Sequence, residues 1–370
     1  MKFEIPDYLN PSEWLGFAES ATEAQVRNAI YAENPTEREL AVLLSDAAVG
    51  LLEEMAQRAQ KITRRHFGRT VQLYVPLYLS SYCSGGCAYC GFASDRDAAR
   101  HVLTMDEAES EMRALKELGF EELLLLTGER TSKADFDYIR GAVALAAKYF
   151  HKVTVEVFPM KEEEYAGLVE AGCTGVTLYQ ETYHPEQYER MHRWGPKADY
   201  NARIDAPDRL LSAGMRTVGL GTLLGLSDPV YDLVALYRHT KQLLKTHWKS
   251  GVTVSFPRIR PEAGGFEAEF PVDEKKLAQI IFAFRIVLPD VPLVLSTRES
   301  AAFRDGMTGL GANKMSANSK TTVGGYSDDV EYNEGQFSVD DDRSAEEMCR
   351  ALRARGFEPV FKNWDMAYRP

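Results

Sequence analysis

Cysteine is scarce in this chain: five in 370 residues, an odd number that cannot pair completely. The opening Met1-Lys2-Phe3-Glu4-Ile5-Pro6-Asp7 is not a signal peptide, so nothing points to a disulfide scaffold in an oxidising compartment. Positive charge is short as well. Forty-three Lys and Arg face 55 Asp and Glu, a net charge of −12, which argues against nucleic acid or an acidic membrane as a partner. No apolar stretch approaches the length of a membrane span, and the expected location is cytoplasmic. The seven histidines form no H-x3–5-H run, and no second short cysteine pair completes a closed zinc site. There is no low-complexity tract and no 20–50-residue repeat, which leaves out solenoids. What remains is an ordinary globular composition, 45% apolar and 26% charged. The length serves one large α/β barrel with extensions, or two domains.

Three of the few cysteines are crowded together in Cys83-Ser84-Gly85-Gly86-Cys87-Ala88-Tyr89-Cys90-Gly91-Phe92, at C-x3-C-x2-C spacing. They follow an apolar run over 71–80 that reads as a buried strand. Gly85, Gly86 and Gly91 permit tight turns, so the thiolates are expected to converge on one point. Three soft thiolates suit an iron–sulfur cluster or zinc. On a [4Fe–4S] cluster they leave one iron without a protein ligand, which is useful where something must bind there. Cys173 and Cys349 are isolated and read as small buried hydrophobes.

The rest of the chain alternates. Residues 1–68 read as a helical extension, with capping boxes at Thr22-Glu23-Ala24-Gln25 and Thr36-Glu37-Arg38-Glu39. The basic run 61–66 reads as a solvated helix end. Strands are expected at 71–80, 122–126, 153–157, 175–178, 216–220, 252–256, 293–296 and 310–315. Helices fall between them, ending with 274–287 and 299–305. The fold class is therefore α/β: a (β/α)8 TIM-type barrel over 69–315, with a doubly wound open sheet as the alternative. Residues 316–370 are too short for a core of their own and read as a wrap or lid, with an amphipathic helix at 344–355.

In such a barrel the active site lies at the C-terminal strand ends. Polar or glycine interruptions occur there after each apolar strand. They are the cysteine loop, Thr127-Gly128-Glu129, Glu156, the Tyr179–His184 stretch, Gly219–Gly225, Pro257–Pro261 and Thr297-Arg298-Glu299. The glycine stretch does not fit G-x-G-x-x-G, so a dinucleotide site is rejected. Glu156 ends an apolar strand and needs a partner, either a ribose hydroxyl pair or Arg193 or Arg216. Arg258 and Arg260 are two apart on an extended segment, so one of them is expected to face the site.

The cysteine loop, with Tyr89 just before its last cysteine, resembles the signature of the radical S-adenosylmethionine (radical SAM) enzymes. Leu126-Thr127-Gly128-Glu129, Tyr179-Gln180-Glu181-Thr182-Tyr183-His184, Ser255-Phe256-Pro257-Arg258-Ile259-Arg260-Pro261, Leu295-Ser296-Thr297-Arg298-Glu299-Ser300 and Lys362-Asn363-Trp364-Asp365 extend the likeness over nearly the whole chain. Together they resemble the 2-iminoacetate synthases, the tyrosine lyases of anaerobic thiamine-thiazole synthesis. The resemblance implies one [4Fe–4S] cluster on Cys83, Cys87 and Cys90, with S-adenosylmethionine chelating the open iron. It implies a 5′-deoxyadenosyl radical, and cleavage of the Cα–Cβ bond of L-tyrosine into p-cresol and 2-iminoacetate.

On this likeness Tyr89, Gly128, Glu129, Glu156, Glu181 and Arg193 are candidates for S-adenosylmethionine, Arg193 for its methionine carboxylate. The 219–225 glycines would let adenine lie against backbone. Arg298, with Ser296 and Thr297, is the candidate grip on the substrate carboxylate, expected across the barrel from the cysteines. Thiazole synthase as product acceptor and reduced flavodoxin or ferredoxin as electron donor are the implied partners. Two related activities stand as alternatives. One is a tryptophan lyase. The other is the tyrosine lyase of [FeFe]-hydrogenase maturation, disfavoured because Cys349 has no cysteine neighbour for a second cluster.

Overall fold

The computed structural model describes residues 3–327 and 335–362, so Asn363, Trp364 and Asp365 of the C-terminal motif lie outside the described residues. Among the described residues four α-helices precede the sheet, Ser12–Glu19, Glu23–Ile30, Glu37–Leu43 and Leu52–Phe67, with a short 3-10 helix at Asp46–Leu51. Thr22 and Thr36 close capping boxes on the second and third, as their spacing predicts. The fourth buries Met55, Ala59 and Ile62 on one face and packs against a later helix, Glu274–Val287. Its last turn carries Arg64, Arg65 and His66, where cations favour the helix dipole.

Nine strands follow among the described residues. They are β1 (Thr70–Tyr78), β2 (Glu122–Leu126), β3 (Lys152–Glu156), β4 (Cys173–Thr177), β5 (Thr217–Gly221), β6 (Gly251–Ser255), β7 (Leu293–Leu295), β8 (Lys314–Ser316) and β9 (Glu358–Val360). From β1 to β8 each strand pairs in parallel with the next, and β8 returns to β1 through Leu73↔Met315. That last pairing closes the barrel and removes the open-sheet alternative. The barrel strands are almost wholly buried, as strands covered by helices on the outside must be.

At the end of the barrel, two elements lie further toward the C-terminus than expected. The last barrel helix is Ala301–Met307 instead of 299–305, because Ser300 caps it by accepting the Phe303 N–H while Glu299 pairs with Arg258. The last barrel strand begins only at Lys314, because Gly309 and Gly311 take positive φ and turn the chain first.

Beyond the barrel, the helix Ala345–Ala354 buries Met348, Cys349 and Leu352. It leads into β9, which pairs with the start of β1 through Thr70↔Glu358 and Gln72↔Val360. β2 takes up the same strand further along, from Val75 to Tyr78. No helix among the described residues is long and apolar enough to cross a membrane.

Candidate active site

The C-terminal mouth of the barrel opens into a cavity of about 1440 Å³, counted out to its solvent-open rim. Of the residues singled out in the sequence, Cys83, Cys87, Cys90, Tyr89, Gly128, Glu129, Glu156, Glu181, Ser296, Thr297 and Arg298 all line it. Arg193 does not. Its guanidinium is spent on the Gly86 carbonyl at 2.9 Å and on Asp95 at 2.8 Å, outside the cavity. Arg193 and Arg216 also fail as partners of Glu156. Arg216 precedes β5 at the far, N-terminal end of the barrel, whereas Glu156 ends β3 at the mouth.

The cysteine loop leaves β1 and is held by main-chain donors. The N–H groups of Gly85 and Glu129 both donate to Cys83 Sγ at 3.3 Å. The loop glycines serve space and not handedness, since none of the three has a positive φ. A Cβ on Gly86 would lie 2.2 Å from the Trp194 ring, and one on Gly91 would lie 2.6 Å from the Gln336 carbonyl oxygen. A Cβ on Gly128 would lie 2.6 Å from the Cys83 Cβ, so only glycine lets the β2 loop approach the first cysteine. All three cysteines line the one cavity. Among the described residues no three Cys, His, Asp or Glu side chains are grouped to hold a metal ion. A four-iron cluster is larger than an ion and takes each cysteine on a different iron.

Two observations show that the cavity suits a cluster with a cationic, amino-bearing cofactor. Three soft donors face one space, and N–H groups already point at one of the sulfurs. Beside them Glu129 is buried and shares Oε1 with Arg203 at 3.4 Å, while its Oε2 is buried with no hydrogen-bond partner among the described residues. A buried carboxylate oxygen without a donor is costly, and an ammonium group would satisfy it. Burial pushes the free Cys87 thiol up to about 12, a cost that metal binding would remove.

The electrostatics of the wall alternate. Glu181, in the left-handed region at φ 71°, pairs with Lys197 at 2.6 Å. Arg203 also donates to the Tyr179 carbonyl at 2.8 Å. Glu156 forms no salt bridge with a described residue, and burial, reinforced by Glu181, raises its carboxyl to about 7 against the pull of Arg298, Lys197 and Arg203. Tyr89 does not point its hydroxyl into the cavity. It donates to His192 Nε2 at 2.8 Å, while His192 Nδ1 faces the Tyr188 carbonyl at 2.9 Å. Burial, with Lys197 and Arg203 nearby, holds that histidine well below its usual range and therefore neutral.

On the β7 side, Arg298 donates to the Arg258 carbonyl at 3.2 Å, and its guanidinium stacks 3.4 Å over the Phe337 ring. It does not stand across the barrel from the cysteines. β7 is separated from β1 by β8 alone, because closure brings the last strands back beside the first. Of the two arginines on the β6 loop, Arg260 lines the cavity and pairs with Asp340, while Arg258 is held outside by Glu299 and the Val272 carbonyl. The 219–225 glycines offer no open backbone. The Tyr179 ring fills the space beside Gly221 and Ile259 that beside Gly225, and only Leu223 of the stretch reaches the cavity.

Sequence reading missed Lys197, Arg203, Gln336 and Phe337, all of which line the same space. Lys197 and Arg203 come from the region after β4, where the helical pattern is broken. Gln336 and Phe337 lie after the barrel and carry no motif.

A closed parallel barrel whose first strand empties into three cysteines is the architecture of a radical SAM enzyme, and residues 77–238 match the Radical SAM superfamily. Residues 255–358 match the Biotin and Thiamin Synthesis associated domain. The 2-iminoacetate synthase of Escherichia coli (strain K12) is 46% identical over 345 residues, 93% of this chain and 91% of that one. That of Salmonella typhimurium (strain LT2) is 45% identical over the same shares. Among solved structures, HydG, a maturase of the [FeFe]-hydrogenase, superposes with a TM-score of 0.92 at 32% identity, covering 98% of this chain and 82% of that one. The chain belongs to the 2-iminoacetate synthase family.

Proposed function

We propose that this cavity carries one [4Fe–4S] cluster on Cys83, Cys87 and Cys90 and binds S-adenosylmethionine beside it. The enzyme is a radical SAM carbon–carbon lyase that cleaves the Cα–Cβ bond of L-tyrosine, giving 2-iminoacetate and p-cresol. The bound cluster and cofactor together supply a one-electron reduction that yields a carbon radical able to take a hydrogen atom from the substrate. The observation that carries the site assignment is the unpaired, buried Oε2 of Glu129 next to the Cys83 loop. It is a ready acceptor for the methionine ammonium, and Gly128 gives the backbone room to bring it there.

The remaining roles follow from chemistry and position. Glu156 and Glu181 offer carboxylate oxygens to ribose hydroxyls, and Tyr89, anchored by His192, presents the edge and face of its ring to the cofactor. Arg298 grips the substrate carboxylate, with Ser296 and Thr297 beside it. Burial and the Phe337 stack keep the guanidinium aimed and exclude water, which hydrogen-atom transfer needs more than any acid or base.

The product is an imine that water destroys, so it is passed by contact to thiazole synthase. Reduced flavodoxin or ferredoxin supplies the electron, in a reducing compartment such as the cytoplasm. Anaerobic reconstitution is expected to give about four irons per chain. With L-tyrosine, S-adenosylmethionine and dithionite, p-cresol and 5′-deoxyadenosine should form, and L-tryptophan in parallel should release no 3-methylindole. An intact cluster that yields no p-cresol from tyrosine overturns the substrate assignment.

A further inference from the structure

Residues 335–341 lie as a strap against the mouth of the cavity. Gln336 is bonded through both its main chain and its side chain. Its main-chain N–H donates to the Thr321 carbonyl at 3.0 Å, and its carbonyl accepts the Gly91 N–H at 3.3 Å. Gly91 directly follows the last cysteine, and the bare Cα there is what admits this contact. The side chain is fixed at both ends of its amide. Oε1 accepts the Tyr78 hydroxyl at 2.8 Å, and Nε2 donates to Cys90 Sγ at 3.4 Å.

The orientation is determined by the partners. An amide can turn either end toward a sulfur, but its oxygen would repel a thiolate. The Tyr78 hydroxyl, at the end of β1, supplies the proton that holds the oxygen away. Cys83 receives its N–H···S bonds from backbone within the barrel, at Gly85 of its own loop and at Glu129 after β2. The Cys90 bond is different in kind, since its donor is a side chain from beyond the barrel.

We propose that Gln336 is a positioning residue for the Cys90 thiolate, and that its N–H···S bond, oriented by Tyr78, sets the reduction potential of the bound cluster. This rests on the cluster assignment made above. A donor at a ligand sulfur stabilises the more negative, reduced cluster more than the oxidised one, so it raises the potential. The C-terminal strap thereby makes the cluster easier to reduce.

Wild type, Q336M and Y78F are reconstituted anaerobically with iron and sulfide. Iron is counted, and the midpoint potential is followed by electron paramagnetic resonance. Methionine keeps the length of glutamine without a donor, and Y78F frees the amide to turn. Q336M is expected to become about tenfold harder to reduce, a negative shift of about 59 mV for one electron. Y78F should shift the same way by less. Wild type that binds no iron overturns the cluster assignment itself. Wild type with a cluster, and Q336M with the same midpoint, overturns only the role of Gln336. Should Q336M fail to hold iron, Y78F decides, and an unshifted Y78F midpoint overturns the proposal.

Discussion

At the scale of the residue, Arg298 and Glu156 make the sharpest predictions. Arg298 is enclosed, stacked on Phe337 and tied to one carbonyl, so part of its donor fork is left for a planar anion. Lysine keeps the charge and loses the two-point grip. R298K is expected to raise the KM for tyrosine by roughly 10–100-fold, in line with about 1.5–3 kcal/mol for a charged hydrogen bond. S-adenosylmethionine binding, measured separately, should stay unchanged.

For Glu156 the sign follows from its raised carboxyl. With its titration near 7, the group is mostly protonated at pH 6 and mostly ionised at pH 8. Ribose hydroxyls donate better to the ionised form. Cofactor affinity of the wild type should therefore increase between pH 6 and 8, whereas E156Q should bind more weakly with a flat profile. A titration by calorimetry at the two pH values checks this, and equal slopes would remove Glu156 from the ribose.

Sequence was most informative at this scale where chemistry is unusual. Three cysteines at short spacing and a carboxylate ending an apolar strand stand out in any reading. Lys197 and Arg203 do not, because a lysine in a broken helical stretch and an arginine inside a helix look like ordinary surface residues. Their burial is a tertiary fact. The same holds for Arg193, which looked like a cofactor ligand and instead ties the Gly86 and Asp95 backbone and side chain together.

At the scale of the element, strands and helices were legible because their patterns are strong. Capping boxes at Thr22 and Thr36 start helices where the sequence places them. The loops were less so. The space around Gly128 illustrates why: its importance lies in Cys83, which is distant in sequence. G128A would force a Cβ into the Cys83 Cβ and the Tyr82 carbonyl. Overpacking of this kind costs about 1–3 kcal/mol. The expected outcome is a lowered melting temperature together with reduced iron content after reconstitution. A variant that melts lower but binds full iron would separate the loop contact from the cluster.

At the scale of the whole molecule, the C-terminal segment is bound to the barrel by charge as well as by packing. Asp341, almost wholly buried, pairs with Arg304 and with Arg343, and Arg343 also reaches Asp305 at 3.1 Å. Removing the carboxylate leaves the buried Arg304 guanidinium short of its counter-ion. D341A is expected to cost about 3–5 kcal/mol, as broken buried pairs do. Limited proteolysis should then cut near the strap while the barrel persists; resistance equal to wild type would contradict this. Such long-range clasping has no sequence signature, whereas the barrel, built of repeated local units, does.

The double use of β1 has a consequence in time. The strand that launches the cysteine loop is edged on one side by β8, and on the other by β9 and then β2. Chains emerge from the ribosome N-terminus first. When β1 appears, its final neighbours have yet to be made, and Thr70 waits for Glu358 near the far end of the described chain. The seam of the barrel is thus the last thing sewn. Until then the cysteine loop hangs from a strand with one flank open.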